Sequence, residues 1–404
     1  MNIPRPLYLQ QIEPYIDTPM VKILVGIRRA GKSSLLKQMK EILLARGVAE
    51  GQIIQINFED LEHAEVREKG DFITLIRPMI ADKRRYYILL DEVQLVEGWE
   101  EVVNGLLASN NVDIYITGSN ARLLSTEIST VLTGRYINIP VQTLSFKEAL
   151  EFKEARGLKR GSLAEEFANF QQKGGFPILH ALDYALEDGD KAVSDIYTSI
   201  IYRDLIERKN IRNTELLGRI IRYIFDNVGN IFSANSIADY LKNELRSLDP
   251  ETIYNYLEWL EEVFVIHKVS RYDLRGKALL RTQEKYYLGD VGLLYALNGR
   301  KDSYSSGVLE NTIYLELVSR GYQVYIGKNK DREIDFVAEK RDKKFYLQVA
   351  LHLYEPETYE REYAAFNGID DNYPKYVLTL DEGEDERNGI RKRFLPEFLL
   401  SGEL

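Results

Sequence analysis

The sequence predicts an α/β protein: a parallel sheet with helices on both faces, then a helical and winged-helix region, then a second α/β domain at the C-terminus. Three observations carry this. Residues 21–140 alternate apolar runs with amphipathic stretches, the pattern of strands joined by crossover helices. Residues 231–300 read as two helices followed by a β-hairpin. After about residue 305 the order becomes α-β-β-β-α-β. The chain has 404 residues, more than one ordinary core organises, so several domains are expected.

Composition narrows the classes. Hydrophobic residues make up 45% and charged residues 29%, as in a soluble globular protein. No run of about 18 apolar residues occurs, so no membrane span is expected. The start "MNIPRPLYLQ" lacks the basic-then-apolar pattern of a secretory leader. There are no cysteines, which excludes disulfides, thiolate metal sites and cysteine nucleophiles, and fits the cytoplasm. A net charge of −10 argues against coating nucleic acid over the whole surface, but leaves room for a local basic groove. The 27 tyrosines are read as packing residues.

In the first domain, residues 1–147, strands are expected at Lys22–Val25, Ile53–Phe58, Tyr86–Leu90 and Val112–Thr117, with a helix at Ser33–Ala45. The segment "NIPVQTLSFKEAL" reads as a last strand and a helix start. Ser145 and Glu148 stand at the capping-box spacing.

The stretch Gly26-Ile27-Arg28-Arg29-Ala30-Gly31-Lys32-Ser33 matches G-x-x-x-x-G-K-[ST], between an apolar strand and a helix. The glycines let backbone N–H groups close on phosphate oxygens, and the helix points its positive end at the anion. Lys32 is expected on the β- and γ-phosphates of ATP, and the Ser33 hydroxyl on Mg²⁺, with Ser34 beside it. "YYILLDEVQLVEGWE" ends an apolar strand in two carboxylates, costly unless a cation or a positioned water uses them. Asp91 is therefore the expected Mg²⁺ holder, mostly through water, and Glu92 the base that orients the attacking water. "VDIYITGSNARLL" is another strand with a small polar end, where Ser119 or Asn120 could simply cap the next turn. Arg135, just before a further strand, could reach phosphates of its own site or a neighbour's in a homo-oligomer, or make a surface ion pair. Arg28 and Arg29 are further candidates for nucleotide contact.

Together, "GIRRAGKSSLL", "INFED", "YYILLDEVQLVEGWE", "YITGSNARLLS", "LTGRY" and "PVQTLSFKEAL" resemble a prokaryotic AAA-type ATPase family close to the archaeal ATPase branch. Its members pair the ATPase module with a C-terminal domain of unknown function. The later "GGFP", "IYRDLIER", "EIDFVA" and "YLQVA" resemble that C-terminal region. The resemblance implies ATP binding and hydrolysis, and a polar contact to the γ-phosphate or attacking water from Asn120 in preference to Ser119. Glu59 and Asp60 belong to the pattern, with at most a contact in the Mg²⁺ or water shell.

Residues 148–230 read as helical, including "DIYTSIIYRDLIERK" and "TELLGRIIRYIFDNVG". Residues 231–300 carry the winged-helix pattern. A helix capped by Ser233 ends near Leu241, a second runs from Glu251 to Glu262 after Asp249-Pro250, and strands follow at Phe264–Ser270 and Lys285–Leu288. Glu251, Glu258, Glu261 and Glu262 make the second helix a poor phosphate partner. The wing holds Lys268, Arg271, Arg275, Lys277, Arg281 and Lys285 against Asp273 and Glu284. It could grip DNA phosphates, or serve domain packing or a subunit contact.

The last domain, residues 301–404, should hold a helix closed by Gly321, strands "QVYIG", "IDFVAE" and "KFYLQVAL", a helix near 357–367 and a strand "KYVLTL". "DEGEDER" reads as a solvated loop. The order resembles the PD-(D/E)xK restriction-endonuclease-like fold, which implies a metal site at Glu310, Asp335 and Gln348. Glutamine replaces the usual carboxylate, and Ala350 stands where the lysine should be. Loss of that lysine points to a degenerate nuclease fold that binds nucleic acid or a partner. The expected whole is an ATP- and Mg²⁺-dependent switch or motor. The competing readings are an ATP-gated, metal-dependent nuclease and an ATP-binding scaffold.

Overall fold

The strand-forming runs of the first 140 residues build one sheet. In the computed structural model, described for residues 3–109, 111–124, 130–132, 134–182, 185–242, 250–276 and 278–402, the chain divides into two units. One comprises residues 1–141 with 262–264, the other 142–261 with 265–404. The first contains α1 (Pro6–Ile12), β1 (Val21–Val25), α2 (Lys32–Ala45), β2 (Ile53–Asn57), α3 (Lys69–Ile76), β3 (Tyr86–Asp91), α4 (Trp99–Ser109), β4 (Val112–Gly118) and β5 (Tyr136–Pro140). The sheet is all parallel, in the order β2-β3-β4-β1-β5. β1, β3 and β4 are buried along their whole lengths, as strands with both faces covered must be. The register sets Val25 beside Gly118 and Asn57 beside Asp91. The carboxyl ends of the strands therefore emerge along one edge, where open α/β sheets bind ligands.

An ion pair is buried towards the amino ends of β1 and β4, away from that edge. Lys22 and Asp113 pair with both side chains fully buried. Asp113 also accepts the Tyr115 hydroxyl at 2.9 Å and the Asp17 N–H at 2.8 Å. Burial lowers the Lys22 pKa, and the Asp113 charge opposes that shift.

The second unit opens with α5 (Phe146–Ala155), whose Ser145–Glu148 capping box has bonds of 3.2 and 3.0 Å. α6 (Leu163–Lys173) repeats the device with Ser162 and Glu165. After α7 (Pro177–Ala181), α8 (Leu186–Ser199) runs on as π-helical turns at Ile200–Glu207, where the sequence reading foresaw ordinary helix. α9 (Thr214–Asp226) buries Leu216, Leu217, Ile220, Ile221, Ile224 and Phe225, one face at helical spacing.

Next come β6 (Ile231–Phe232), α10 (Ala234–Lys242), α11 (Pro250–Glu262), β7 (Ile266–Asp273) and β8 (Ala278–Leu288). Ser233 caps α10, its Oγ accepting the Ser236 N–H at 3.2 Å. The second wing strand is longer than expected, beginning at Ala278 instead of Lys285. Glu261 turns inward from α11, so the acidic face foreseen there is incomplete.

The chain continues as α12 (Val291–Asn298), α13 (Ser305–Ser319), β9 (Gln323–Asn329), β10 (Arg332–Lys340), β11 (Lys343–Ala350), α14 (Pro356–Ala364), β12 (Lys375–Thr379), β13 (Asp385–Arg387), β14 (Ile390–Phe394) and α15 (Leu395–Leu400). The wing and these strands form a single sheet. β7 pairs in parallel with β9, giving the order β13-β14-β12-β11-β10-β9-β7-β8-β6. "DEGEDER" is not simply a solvated loop. Asp381 is buried and accepts the Leu353 N–H at 2.7 Å, and Asp385–Arg387 forms the edge strand. A short polar run pairs here because β14 offers a free edge.

Candidate nucleotide site and C-terminal cleft

The turn after β1 needs its glycines for two reasons. A Cβ on Gly26 would lie 2.0 Å from the carbonyl oxygen of Val141, a backbone atom that cannot step aside. Gly31 has φ 98°, a left-handed conformation that lets α2 begin at Lys32. Arg29 shares that region at φ 68°. Lys32 is buried, and its ammonium donates to the loop's own carbonyls, Gly26 at 2.9 Å and Ile27 at 3.0 Å. Ser33 hydrogen-bonds Asp91, bringing hydroxyl and carboxylate together at the tips of α2 and β3. Ser34 is exposed on the first turn of α2.

The two carboxylates differ in environment. Burial raises the Asp91 pKa, against hydrogen bonds from Thr117 and Ser33. Glu92 is as deeply buried, yet its pKa is lowered. Desolvation is outweighed by the Lys32 charge, hydrogen bonds from Gln94 and Ser119, and the Arg28 charge. Glu92 therefore stands ionised, as a base must. Its backbone is left-handed at φ 53°, with its N–H on Thr117 Oγ1 at 3.1 Å. Ser119 Oγ donates to Glu92 Oε2 at 3.0 Å.

Asn120, the residue preferred from the sequence, has its Oδ1 on the Arg122 N–H at 2.7 Å, the capping role. Its Nδ2 is buried with no hydrogen-bond partner among the described residues. Arg135 donates to Asn104 Oδ1 in α4 at 2.6 Å. Glu59 pairs with Arg28, and Asp60 accepts from Asn57 Nδ2 at 2.9 Å, so both acids have protein partners.

Three residues here were missed from the sequence: Thr117, which bonds both Asp91 and the Glu92 N–H, Arg5 and Gln94. Arg5 is buried, donates to the Ala30 carbonyl inside the turn between β1 and α2 at 2.8 Å, and lies 4.5 Å from the Tyr8 ring centroid. Nothing in the sequence links positions 25 apart. Gln94 binds both Glu92 and Ser119. Its signal was its place two residues after Glu92.

The residues present fit Mg²⁺ and a nucleotide triphosphate. The Lys32 ammonium already sits at the mouth of the turn on the Gly26 and Ile27 carbonyls, Ser33 and Asp91 already face each other, and Asn120 Nδ2 is a buried donor with no hydrogen-bond partner among the described residues.

In the second unit, the nuclease-like trio does meet. Glu310, Asp335 and Gln348 line one cleft of about 750 Å³ with Glu333, Glu357 and Glu362. The Gln348 carbonyl is engaged by the Asp335 N–H at 2.8 Å, and its amide donates to Glu362 at 2.7 Å. Lys285 reaches in from β8, 3.0 Å from Glu310 and 2.7 Å from Glu333. Burial works against the Lys285 charge, but Glu310, Asp335 and Glu333 raise its pKa. Burial also raises Asp335 well above the usual carboxylate range, with Glu310 adding to it. These residues do not fit a divalent cation. Among the described residues, no three His, Asp or Glu are arranged to hold a metal.

Lys285 is thus no part of a phosphate-gripping wing, because two carboxylates claim it in the interior. Lys268 is paired with Glu284 at 2.9 Å, Arg271 is half-buried, and Arg275 is exposed. Lys277 and the side chain of Arg281 lie outside the described residues. In the "GGFP" turn, Asp290 accepts the N–H groups of Gly175 at 2.8 Å and Gly292 at 2.7 Å, and burial raises its pKa to about 6.

The parallel sheet and its edge define a P-loop domain of the AAA ATPase type. A family model described as an AAA domain matches residues 18–150, and one described as a domain of unknown function (DUF8612) matches residues 164–304. The chain belongs to the same family as an uncharacterised protein of Haemophilus influenzae, 38% identical over 400 residues and covering 98% of both chains. Uncharacterised protein MJ1544 of Methanocaldococcus jannaschii is 31% identical over 408 residues, 96% of this chain and 89% of that one. Among solved structures, the Walker-type ATPase paby2304 of Pyrococcus abyssi shares the fold, with TM-score 0.51 and 17% identity, over 73% of this chain and 95% of that one.

Proposed function

We propose that this chain binds ATP with Mg²⁺ at the β1–α2 turn, hydrolyses it, and uses the nucleotide state as a switch. One observation carries the reading: Lys32, the Ser33–Asp91 pair and an ionised Glu92 converge on one sheet edge. Lys32 would exchange its carbonyl partners for the β- and γ-phosphates, while Ser33 and Asp91 would hold the metal ion. Bound Mg²⁺ supplies charge neutralisation at those phosphates. Glu92 turns from Ser119 and Gln94 to take the proton of the attacking water, and Asn120 Nδ2 gains an acceptor. The exchange of partners by Lys32 and Glu92 is the local two-state element that such a switch requires.

No helix among the described residues is long and apolar enough to cross a membrane. We place the protein in the cytoplasm, with Arg135 serving its own or a neighbour's site in an oligomer. DNA contact through the wing rests on Arg275 and Arg271. A salt-sensitive rise of ATPase rate with added DNA supports it, and an unchanged rate removes it.

Calorimetry and phosphate release test the core reading. Wild type takes up Mg²⁺-ATP and Lys32→Ala does not. Glu92→Gln retains uptake and loses turnover by about 10²–10⁴-fold. Unchanged phosphate release by Glu92→Gln refutes its role, and uptake without turnover in wild type selects the scaffold reading.

A further inference from the structure

We propose that the Lys285 ammonium stands in the C-terminal cleft where a nuclease-like fold would hold its divalent cation, so that the cleft takes no metal while Lys285 is present. The inference is independent of the nucleotide site. It starts from how the donor atoms are used. Glu310 Oε2 accepts both the Lys285 ammonium at 3.0 Å and the Tyr287 hydroxyl at 2.8 Å. Glu333 Oε1 accepts the same ammonium at 2.7 Å. Asp335 Oδ2 accepts the Val349 N–H at 2.8 Å. The Gln348 carbonyl, the one neutral oxygen that could replace the missing carboxylate, accepts the Asp335 N–H.

A small divalent ion asks for about six oxygens at roughly 2.0–2.1 Å in octahedral array. An ammonium asks for acceptors near 2.8 Å and offers three protons. Lys285 has the second arrangement, bridging α13 and β10 from β8. Its side chain is only 4% exposed and that of Glu310 10%, while Glu333 keeps 28% of its surface at the cleft mouth. A divalent ion entering between Glu310 and Glu333 would meet a positive charge already in place, which the buried Lys285 side chain leaves little screened by solvent. The conventional lysine position, Ala350, is empty of charge; Lys285 comes from a different strand, and Arg361, also lining the cleft, is paired with Glu362 at 2.7 Å. Lys285 is a positioning residue here: it neutralises buried carboxylates and ties the wing strand to the helix that carries Glu310.

The test is Mn²⁺ titration of the full chain without nucleotide, read by the electron paramagnetic resonance of free Mn²⁺. Wild type and Asp335→Asn are expected to superimpose up to about 1 mM. Lys285→Met is expected to gain one Mn²⁺ per chain, at least tenfold tighter than any wild-type uptake, and Lys285→Met with Asp335→Asn to lose it. If Lys285→Met unfolds, circular dichroism with about 1 mM Mn²⁺, against NaCl of equal ionic strength, should show metal-dependent recovery. The proposal is overturned by wild-type uptake that Asp335→Asn abolishes, which would make Lys285 a partner of a bound metal. It is equally overturned by a Lys285→Met chain that neither binds Mn²⁺ nor recovers with it.

Discussion

Asp113→Asn keeps the side-chain volume and removes the negative charge hydrogen-bonded to Lys22 in the first sheet. Both side chains are fully buried, so water cannot replace the lost partner. Removing one member of such a pair typically costs about 3–5 kcal/mol. A ceiling follows from the alternative of folding with Lys22 neutral. From an ordinary pKa of 10.5, deprotonation at pH 7 costs about 3.5 × 1.36, or roughly 5 kcal/mol, and at pH 9 roughly 2 kcal/mol. The sign is fixed by proton counts. In the variant the unfolded chain keeps the Lys22 proton and the folded chain does not, so stability rises with pH. In the wild type the Asp113 charge opposes loss of the Lys22 proton, so its curve is flatter at pH 7. The chain has two tryptophans, Trp99 in α4 and Trp259 in α11. In a Trp259→Phe background, Trp99 emission during urea unfolding reports the first unit alone. The expected result is a gap of about 4 to 5 kcal/mol at pH 7 that narrows by about 1.4 kcal/mol per pH unit towards pH 9. A gap below about 1 kcal/mol, or one that does not change with pH, would refute the reasoning.

Gly26→Ala drives a methyl into the Val141 carbonyl, so the same emission signal should show a loss of at least about 2 kcal/mol, together with lost ATP uptake. Ser119→Ala removes a donor to ionised Glu92, so the acid limb of the ATPase rate–pH profile should rise by about one pH unit; an unmoved limb denies the contact a role. Burial holds the Glu261 carboxyl at about 7, with Lys268 opposing and Glu258 and Glu284 adding to the rise. The folded chain thus keeps a proton that the unfolded chain releases, and stability falls as pH climbs from about 4.5 to 7. Glu261→Gln should match wild type near pH 4.5 and exceed it by about 2 to 3 kcal/mol at pH 8, read from Trp259 emission in a Trp99→Phe background.

Much of the nucleotide edge was legible because its parts are local. The turn from Gly26 to Ser33 is eight consecutive residues whose spacing alone dictates a strand, a left-handed turn and a helix start. Ser145 with Glu148 and Ser233 with Ser236 are likewise bonds across three positions. Less was legible at the tip of β4. Ser119 and Asn120 are adjacent, and only the path of the chain after the strand puts Ser119 on Glu92 and leaves Asn120 capping the next turn. The wing was read as a basic surface because charges were counted along the chain. Sheet register then took Lys268 to Glu284 and Lys285 into the interior.

What the amino-acid order determined by itself was the sequence of strands and helices, the glycine-punctuated turn from Gly26 to Ser33 and the acidic strand tip, since apolar period, glycine and capping chemistry act within a few residues. The tertiary structure decided which distant polar groups meet. Arg5 with Ala30, Lys22 with Asp113 and Lys285 with Glu310 are separated by 25, 91 and 25 positions. Such pairs depend on which strands become neighbours and in what register, and a buried charge must find its partner wherever the fold brings one, because water is not there to take its place.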